Sequence, residues 1–373
     1  MNTRKLALLF ILLLSLFSSH ANSQEITLSN TAEVSVLTCG TGSEIYSLFG
    51  HTAIRINDTA NFVDQVYNYG TFDFSTPNFY LKFVKGDLQY LETSCTFDEF
   101  FQEYLYEKRS IDEQVLDLSQ DKKQALFDYL NASLQSEERF YTYKFIDKNC
   151  TTMVVQTLNK IIGKPIIGIS SADAPSCRTI LYPYFNGHFY TQLGTSIIFG
   201  NKVDLQSDQV FLPSELYNNI QNLKVNNQPI CKESRKILDL AKIETPFSWW
   251  DNFYVFCLFF VALVLLNKPA LYKVYFSLLG FLGVFFLFAG FYSLHSELVN
   301  NYNVLLFNPI LFFVLYYELK NNKKGVFYTS IFSILCLLIY LFILINKPYL
   351  IIVAPLIITG GVRLVQLILK NKS

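Results

Sequence analysis

The stretch Asp147-Lys148-Asn149-Cys150-Thr151-Thr152 decides the fold, because two different sequence patterns meet there. Residues 140–146 are aromatic and β-prone, whereas the apolar residues of 154–162 recur with the spacing of an amphipathic helix. Cys150 is therefore predicted in the first turn of a helix that follows a strand. Unpaired backbone N–H groups and the positive end of the helix dipole favour a thiolate at this position. The pattern predicts a nucleophilic cysteine.

A nucleophilic cysteine requires a base, and the chain has four histidines. His20 lies in a predicted targeting segment and His295 beside a predicted membrane span, which leaves His51 and His188. Residues 49–56 alternate in polarity and predict a strand with His51 on one face. A histidine on a sheet that meets a cysteine at a helix start is the arrangement of papain-like enzymes, which is recognised by geometry and not by chain order. We predict that His51 is the base and that His188 lies in a surface turn.

The residue that orients the imidazole is open between two polar side chains. Asn68, on the next predicted strand, is the first candidate and Asp64 is the second. Arg55 shares the predicted face of His51, and a guanidinium group suits a phosphate head group or a carbonyl oxygen. The predicted catalytic residues are Cys150, His51 and Asn68, and the predicted substrate-binding residues are Arg55, Asn149 and Tyr69.

Residues 1–23 have the composition of a secretory signal peptide. Arg4 and Lys5 precede an apolar run at 6–14 that continues to Phe17, and small residues follow near the end of the segment. This run is shorter than the roughly 20 apolar residues that a bilayer requires, so an uncleaved anchor is the less favoured alternative. We expect the chain that follows to be exported.

From residue 248 to residue 373, nearly every charged residue lies in a short gap between apolar runs. An exported N-terminal part requires the runs to cross alternately from outside to inside, which leaves only Lys347 in an outer loop. Seven lysines then face the cytoplasm, as the positive-inside rule requires. They are Lys268, Lys273, Lys320, Lys323, Lys324, Lys370 and Lys372. The predicted domain is all-α with five spans, at 249–266, 271–294, 302–317, 326–345 and 349–369.

Residues 24–247 are long enough for one exported domain with a substantial core. Strands alternate with inserted helices, so we predict an α+β fold with an antiparallel sheet on which the cysteine helix packs. The predicted strands are 33–37, 51–57, 65–70, 88–93, 112–116 and a strand that starts at 139, and the predicted helices include 97–108 and 122–134.

The charges of the chain are balanced, with 30 basic and 30 acidic residues. We find no basic stripe, no zinc-like cysteine spacing and no glycine-rich phosphate loop, so we expect no nucleic-acid partner, no metal and no cofactor. The exported domain has an odd number of cysteines in a compartment that permits disulfides. Cys150 is the predicted free thiol, and Cys177 and Cys231 are candidates for a bridge.

One motif resembles a known family. The run Glu44-Ile45-Tyr46-Ser47-Leu48-Phe49-Gly50-His51-Thr52-Ala53-Ile54-Arg55 resembles the signature of the Bacteroidetes Lnb family, lipoprotein N-acyltransferases with a periplasmic domain. The resemblance continues at 66–72 and 149–152 and covers most of 24–247. More distantly, a histidine before an Asn-Cys pair is similar to the permuted papain-like domains of the lecithin-retinol acyltransferase and NlpC/P60 superfamily. The resemblance implies a papain-like domain in the periplasm, followed by five spans of the inner membrane.

The resemblance also implies a reaction. An acyl chain would pass from a membrane phospholipid, through a thioester on Cys150, to the α-amine of the lipidated N-terminal cysteine of a diacylated lipoprotein. A thioester is open to attack by an amine in a second step, so no soluble cofactor is required. Two other classes stay open: a periplasmic papain-like peptidase that acts on cell-wall peptides, and a non-catalytic envelope scaffold.

Overall fold

The N-terminal part of the computed structural model contains a seven-stranded antiparallel sheet. The structure describes residues 26–168, 173–225, 227–240 and 247–372, so the predicted signal peptide lies outside the described residues. The strands of the sheet are β1 (Glu33–Cys39), β2 (His51–Asp58), β3 (Val63–Thr71), β4 (Gln89–Thr96), β5 (Ile111–Leu116), β6 (Phe140–Thr142) and β9 (Cys231–Leu238), and β7 (Lys224–Val225) and β8 (Gln228–Pro229) form a separate hairpin.

The strand order is β6-β4-β3-β2-β1-β5-β9. The first six strands coincide with the predicted ones, and the predicted pairing of β2 with β3 is confirmed. The last strand, β9, was not predicted, although it pairs with β5 along the edge of the sheet. Its sequence is rich in charge and half of its residues are exposed. An edge strand of this kind lacks the apolar alternation that marks a buried strand.

Helices cover both faces of the sheet. The inner residues of β1 and β2, such as Val36 and Ile54, pack with Leu130 and Val154 from two helices on one face. Ala53 packs with Phe100 of a third helix on the other face. The sheet is therefore buried on both sides and fixes the positions of its strand ends. The helices of this part are α1 (Phe79–Lys85), α2 (Phe97–Tyr106), α3 (Gln120–Leu134), α4 (Cys150–Ile162), α5 (Cys177–Leu181), α6 (Phe189–Ile198) and α7 (Pro213–Asn222).

The C-terminal part is helical and largely apolar. Three of its helices, of 24, 22 and 22 residues, are long and apolar enough to cross a membrane. A fourth apolar helix has 14 residues and a fifth has 9. In chain order the helices are α8 (Phe253–Leu266), α9 (Pro269–Tyr292), α10 (Leu311–Leu319), α11 (Lys323–Leu344) and α12 (Leu350–Asn371), of which α9, α11 and α12 are the three long ones.

The predicted third span, at 302–317, is not one continuous helix. A short 3-10 turn at Tyr302–Leu305 is followed by Pro309, and α10 begins only after it. Proline cannot donate the backbone hydrogen bond that would join the two pieces. Asn303 is fully buried in the interrupted segment, where the Tyr340 hydroxyl donates to its side-chain oxygen at 2.6 Å. The side chain of Asn303 thus forms hydrogen bonds at the place where the helix is interrupted.

The segment 196–204 of the exported part rests on this interrupted region. The side-chain nitrogen of Asn303 donates to the carbonyl oxygens of Ser196 and Phe199. Asp204 receives the Arg178 guanidinium at 2.7 Å and the Lys347 ammonium at 2.9 Å. The two parts of the chain are therefore joined by buried polar contacts as well as by the covalent linker.

Candidate active site

A polar cap fixes the residue at which α4 begins. Asn149 is the N-cap: its side-chain oxygen accepts the Thr152 N–H at 3.0 Å, and the Thr152 hydroxyl accepts the Asn149 N–H at 2.8 Å. This reciprocal capping box satisfies two backbone donors and makes Cys150 the first helical residue. The N–H groups of Cys150 and Thr151 have no acceptor within the helix. They remain the candidate donors to an oxyanion.

His51 is the first residue of β2 and lies beside the Cys150 thiol. Burial raises the pKa of Cys150, but the charge of His51 and its hydrogen bond outweigh burial and hold the thiol pKa below its ordinary value. Burial lowers the pKa of His51, but the charge of Cys150 and their hydrogen bond raise it above its ordinary value. The two shifts together favour a thiolate and an imidazolium. Both side chains remain partly exposed.

A backbone group and a hydroxyl group of β2 also contact the first turn of α4, which carries the thiol. The Thr52 N–H donates to the Cys150 sulfur and further lowers the thiol pKa. The hydroxyl of Thr52 lies 3.2 Å from the hydroxyl of Thr151, and both side chains are buried. This contact joins the first turn of α4 to the start of β2. The distance between the thiol and the histidine is therefore held by two elements that are packed together.

Two other thiols of the sheet contrast with Cys150. Cys39 is the cross-strand partner of His51, yet burial raises the pKa of its thiol to about 12. Burial raises the pKa of Cys95 to about 11. Of these three cysteines, only Cys150 has a lowered thiol pKa. The arrangement favours one reactive thiolate in this region.

Asn68 on β3 contacts the imidazole from the far side. Its side-chain oxygen lies 3.2 Å from Nε2 of His51, and its side-chain nitrogen lies 3.7 Å from the Cys95 sulfur. Because Nε2 donates to Asn68, Nδ1 is the nitrogen left to exchange a proton with Cys150. The structure thus brings the three predicted catalytic side chains together, in the order cysteine, histidine, asparagine.

A glycine keeps space open beside the sulfur. Gly70 follows an irregularity in the pairing of β3 with β4 and has φ +98°, a conformation that L side chains rarely adopt. A Cβ atom at this position would lie 3.7 Å from the Cβ of Cys150. Any larger side chain would extend into the space that a substrate needs next to the thiol.

The loop before Cys150 is held by the membrane part of the chain. Glu297, from the connection between α9 and α10, accepts the Ile146 N–H at 3.0 Å and is fully buried. Lys144 donates to the carbonyl oxygen of Leu294 at 2.7 Å. The Ser296 hydroxyl donates to Asp147 at 3.0 Å. Sequence reasoning missed these supports, although an acidic residue in a short loop between apolar runs was a visible signal.

The predicted substrate-binding residues make structural contacts. The Arg55 guanidinium is buried, binds both oxygens of Asp64 at 2.7 and 2.8 Å and stacks on the Phe97 ring. The Tyr69 hydroxyl is buried against Thr157 at 2.9 Å. Arg55 and Tyr69 are therefore occupied by contacts within the layers that cover the sheet, and their part in substrate binding stays a prediction that these contacts do not favour.

The third predicted binding residue, Asn149, is also fully engaged. Its side-chain nitrogen donates to the carbonyl oxygens of Phe145 and Phe211 at 2.8 and 3.0 Å, while its oxygen caps α4. No polar atom of this buried amide is left for a substrate. Asn149 instead positions the helix that carries the thiol.

Three further expectations are resolved by the fold. Asp64, the alternative partner of the imidazole, lies opposite Asn57 at the other end of β2 and binds Arg55. His188 precedes α6, whose first residue packs among the membrane helices. Cys177 and Cys231 are free thiols and form no bridge with each other.

Within the described residues, no group of His, Cys, Asp or Glu side chains is placed to hold a metal ion.

Fold and site together define a class of protein: a membrane-embedded envelope protein whose mixed α/β domain pairs a cysteine with a histidine and is bonded to a loop of the membrane part just before that cysteine. Residues 20–176 match the Lnb N-terminal periplasmic domain, and residues 243–373 match the Lnb transmembrane domain. The chain belongs to the Lnb family, with a periplasmic N-terminal domain and a C-terminal transmembrane domain. No curated protein and no solved structure matches this chain.

Proposed function

We propose that this protein moves a fatty acyl chain from a membrane phospholipid, through a thioester on Cys150, to the α-amine of the N-terminal cysteine of a diacylated lipoprotein. The observation that carries the proposal is the contact series Cys150, His51 and Asn68, in a domain bonded to the connection between α9 and α10 of the membrane part. A lipid ester is confined to the bilayer. An enzyme held at the bilayer surface meets that ester with little further loss of entropy.

In the first step, the Cys150 thiolate attacks the carbonyl carbon of the phospholipid ester. The N–H groups of Cys150 and Thr151 stabilise the oxyanion that forms. The bond from that carbon to the glycerol oxygen then breaks, and Nδ1 of the His51 imidazolium donates its proton to the departing oxygen. The products are a thioester on Cys150, a neutral imidazole and a lysophospholipid.

In the second step, the neutral α-amine of the lipoprotein attacks the thioester. The imidazole of His51 accepts the proton that the nitrogen loses, and the carbon–sulfur bond breaks to return the thiolate. The product is an amide, and the enzyme regains its thiolate and imidazolium. Asn68 holds Nε2 throughout, so Nδ1 faces the sulfur in both steps. The proton that left in the first step is restored in the second.

The decisive experiment uses the purified full chain in vesicles of phospholipid with labelled acyl chains. Without an acceptor, the protein should acquire a hydroxylamine-sensitive label and release lysophospholipid. Addition of a diacylated lipopeptide should move the label to its N-terminus. If labelling required an acyl-CoA or an acyl carrier protein, the phospholipid would not be the donor. Cleavage of cell-wall peptides without any acyl label would identify a peptidase instead.

Variants of the site sharpen the experiment. Cys150→Ala should acquire no label, and His51→Ala should acquire it about 10²–10⁴-fold more slowly, the usual weight of general acid–base catalysis. His188→Ala is the matched control, because it removes the other histidine of the periplasmic part without touching the site. Its rate should stay near that of the natural chain. A label that persists in Cys150→Ala would place the nucleophile elsewhere.

A further inference from the structure

The short helix α1 exposes an apolar face that no other described part of the chain covers. Tyr80 is 75% exposed, Leu81 is 72% exposed and Val84 is 50% exposed. Tyr80 and Leu81 lie four and three positions before Val84, so both are neighbours of Val84 on the same side of the helix. Phe74, just before the helix, is also 66% exposed. Contiguous apolar surface of this kind marks a site of contact with a partner or a membrane.

The position of α1 identifies the partner. The Leu294 N–H donates to the carbonyl oxygen of Lys85 at 2.7 Å, and the Ser293 hydroxyl donates to that of Val84 at 3.0 Å. Nε2 of His295 lies 2.9 Å from the carbonyl oxygen of Phe83. Residues 293–295 directly follow the 24-residue membrane helix α9. Three successive carbonyl groups thus fasten α1 to the C-terminal end of a helix that is long and apolar enough to cross a membrane, where the bilayer surface is expected.

The composition of α1 agrees with that level. Aromatic and aliphatic residues alternate with Lys82 and Lys85, which are half-buried. Tyrosine and lysine are favoured where the hydrocarbon meets the head groups, and the Lys82 ammonium suits an anionic lipid, whereas that of Lys85 is paired with Asp87. On another part of the membrane domain, Trp249 and Trp250 are exposed just before α8. Aromatic residues therefore lie at two separate places on the protein where we expect the membrane surface.

A continuous aromatic cluster connects α1 with the candidate active site. The ring of Phe79 on α1 lies 5.8 Å from Phe72, which lies 5.3 Å from Tyr90. Tyr90 stacks on Tyr143 with 4.4 Å between the ring centroids. The hydroxyl of Tyr141, which is the middle residue of β6, lies close to Gly70. Packed aromatic rings thus extend from the exposed face to the neighbourhood of Cys150.

We propose that α1 is an interfacial anchor: Tyr80, Leu81 and Val84 insert into the outer leaflet of the membrane beside α9, and the aromatic cluster behind them receives the acyl chain of a lipid that leaves the leaflet. The membrane contact stands on geometry alone. The path of the acyl chain rests on the proposed function. A second copy of the chain or another protein on this face is an outcome that the test separates.

The membrane contact is tested by fluorescence in vesicles of phosphatidylethanolamine and phosphatidylglycerol whose acyl chains carry bromine. In a full-length Trp249→Phe and Trp250→Phe background, Tyr80→Trp introduces the one indole. Bromine should reduce its emission at least about twofold, because interfacial helices insert their apolar face below the head groups. The control is Phe62→Trp, which is 97% exposed at the turn between β2 and β3, at the opposite end of β2 from His51.

Emission from Tyr80→Trp that bromine leaves unchanged would overturn the proposal, and cross-linking of two chains through this face would identify a dimer contact instead. The acyl path is tested with the double variant Leu81→Glu and Val84→Glu. Its labelling from vesicle phospholipid should fall about tenfold, since charge opposes insertion, while alkylation of Cys150 by iodoacetamide is unchanged. Equal labelling of variant and natural chain would overturn the path. Absence of label in the natural chain would refute the proposed function and leave the fluorescence result standing.

Discussion

At the scale of single residues, the charge of Cys150 depends on its neighbours more than on its burial. Cys39, at the same end of the sheet, shows the outcome where burial is the largest effect, since the pKa of its thiol rises to about 12. Burial acts on Cys150 in the same direction, but the charge of His51 and the Thr52 N–H reverse the outcome and lower the thiol pKa. The reactivity of this thiol is thus a property of the pair.

The pH dependence of alkylation tests this pair. A lowered thiol pKa means that the thiolate persists to lower pH, so iodoacetamide should modify Cys150 with an inflection below pH 9.0, the ordinary value for a thiol. In His51→Ala the lowering charge is lost while the burial remains, and the inflection should move upward. At a fixed pH below the inflection, a thiol pKa that is higher by about 1 leaves about tenfold less thiolate, and the reaction should slow accordingly. The measurement is the modified fraction of the Cys150 peptide by mass spectrometry.

The control for this experiment is Cys95 in the same digest, because it is not in the pair and burial raises its pKa to about 11. It should react slowly in both proteins below pH 9. An inflection for Cys150 that does not change on removal of His51 would mean that the histidine does not set its charge.

At the scale of elements, the start of α4 matters more than its length. The Asn149 side chain caps the helix and at the same time ties it to Phe145 and Phe211, so one buried amide connects three segments. The Thr52–Thr151 contact then places the first turn on β2. The position of the thiol is therefore set by the helix cap at Asn149 and by the start of β2.

Substitutions of Asn149 should separate the effect of the cap from that of the two side-chain hydrogen bonds to Phe145 and Phe211. Asn149→Ala removes the cap acceptor and both donors, and should lower the free energy of unfolding by about 2 kcal/mol, the upper end for loss of an N-cap. Asn149→Ser keeps a cap acceptor and should lose less. The measurement is chemical denaturation of the full chain in detergent, together with the alkylation rate of Cys150.

Ser119 provides the matched control, because it is the N-cap of α3 and its side chain makes no capping hydrogen bond. Ser119→Ala should leave stability nearly unchanged. Equal losses for the Ser and Ala variants at Asn149 would show that the ties to Phe145 and Phe211, and not the cap, stabilise the helix start.

At the scale of the whole molecule, the membrane domain is part of the site and more than its anchor. Glu297 accepts a hydrogen bond from the residue three positions before Asn149, and Lys144 and Asp147 contact the same connection between α9 and α10. The interrupted segment around Asn303 holds the other side of the junction. A loop of the membrane part therefore restrains the segment from which the thiol projects.

Removal of Glu297 should slow acylation without loss of the membrane domain. Glu297→Ala leaves the buried Ile146 N–H without its acceptor, so the 144–149 segment should lose its fixed position and the labelling rate should fall about tenfold. Glu297→Gln retains an oxygen at the same place and should restore most of the rate. Both are measured by the labelling assay in vesicles.

A matched comparison is Glu318→Ala, which changes an acidic side chain on α10 that is paired with Arg363 on α12, away from the site. Its labelling rate should be that of the natural chain. If Glu297→Ala and Glu318→Ala behaved alike, the support of the site by the membrane domain would be refuted.

The orientation of the membrane domain gives the last prediction. With seven lysines on one side and Lys347 on the other, five crossings would place the C-terminus in the cytoplasm. A reporter fused after residue 247 should be active in the periplasm, and one fused after residue 373 should be active in the cytoplasm. Since α8 and α10 are short, the absence of a crossing by just one of them would move the C-terminus to the periplasm. A periplasmic C-terminus would contradict five spans.

The sequence by itself determined the local features of this protein. The change of period at Cys150 marked a helix start, the alternation around His51 marked a strand, and the apolar runs after residue 248 marked a membrane domain. These properties depend on residues that are close along the chain, whose spacing is visible in the sequence. The edge strand β9 was not predicted, because its exposed and charged side chains do not alternate between apolar and polar.

Only the tertiary structure decided which of these local features meet. The register of β2 and β3 places Asn68, and not Asp64, within reach of His51, and it turns Arg55 into a buried ion pair. The contact of Glu297 with Ile146 joins residues 151 positions apart. Sheet register and packing set distances of a few ångströms between such residues, and a shift of one residue would move every side chain of a strand to the other face. The spacing of residues along the chain does not contain that information.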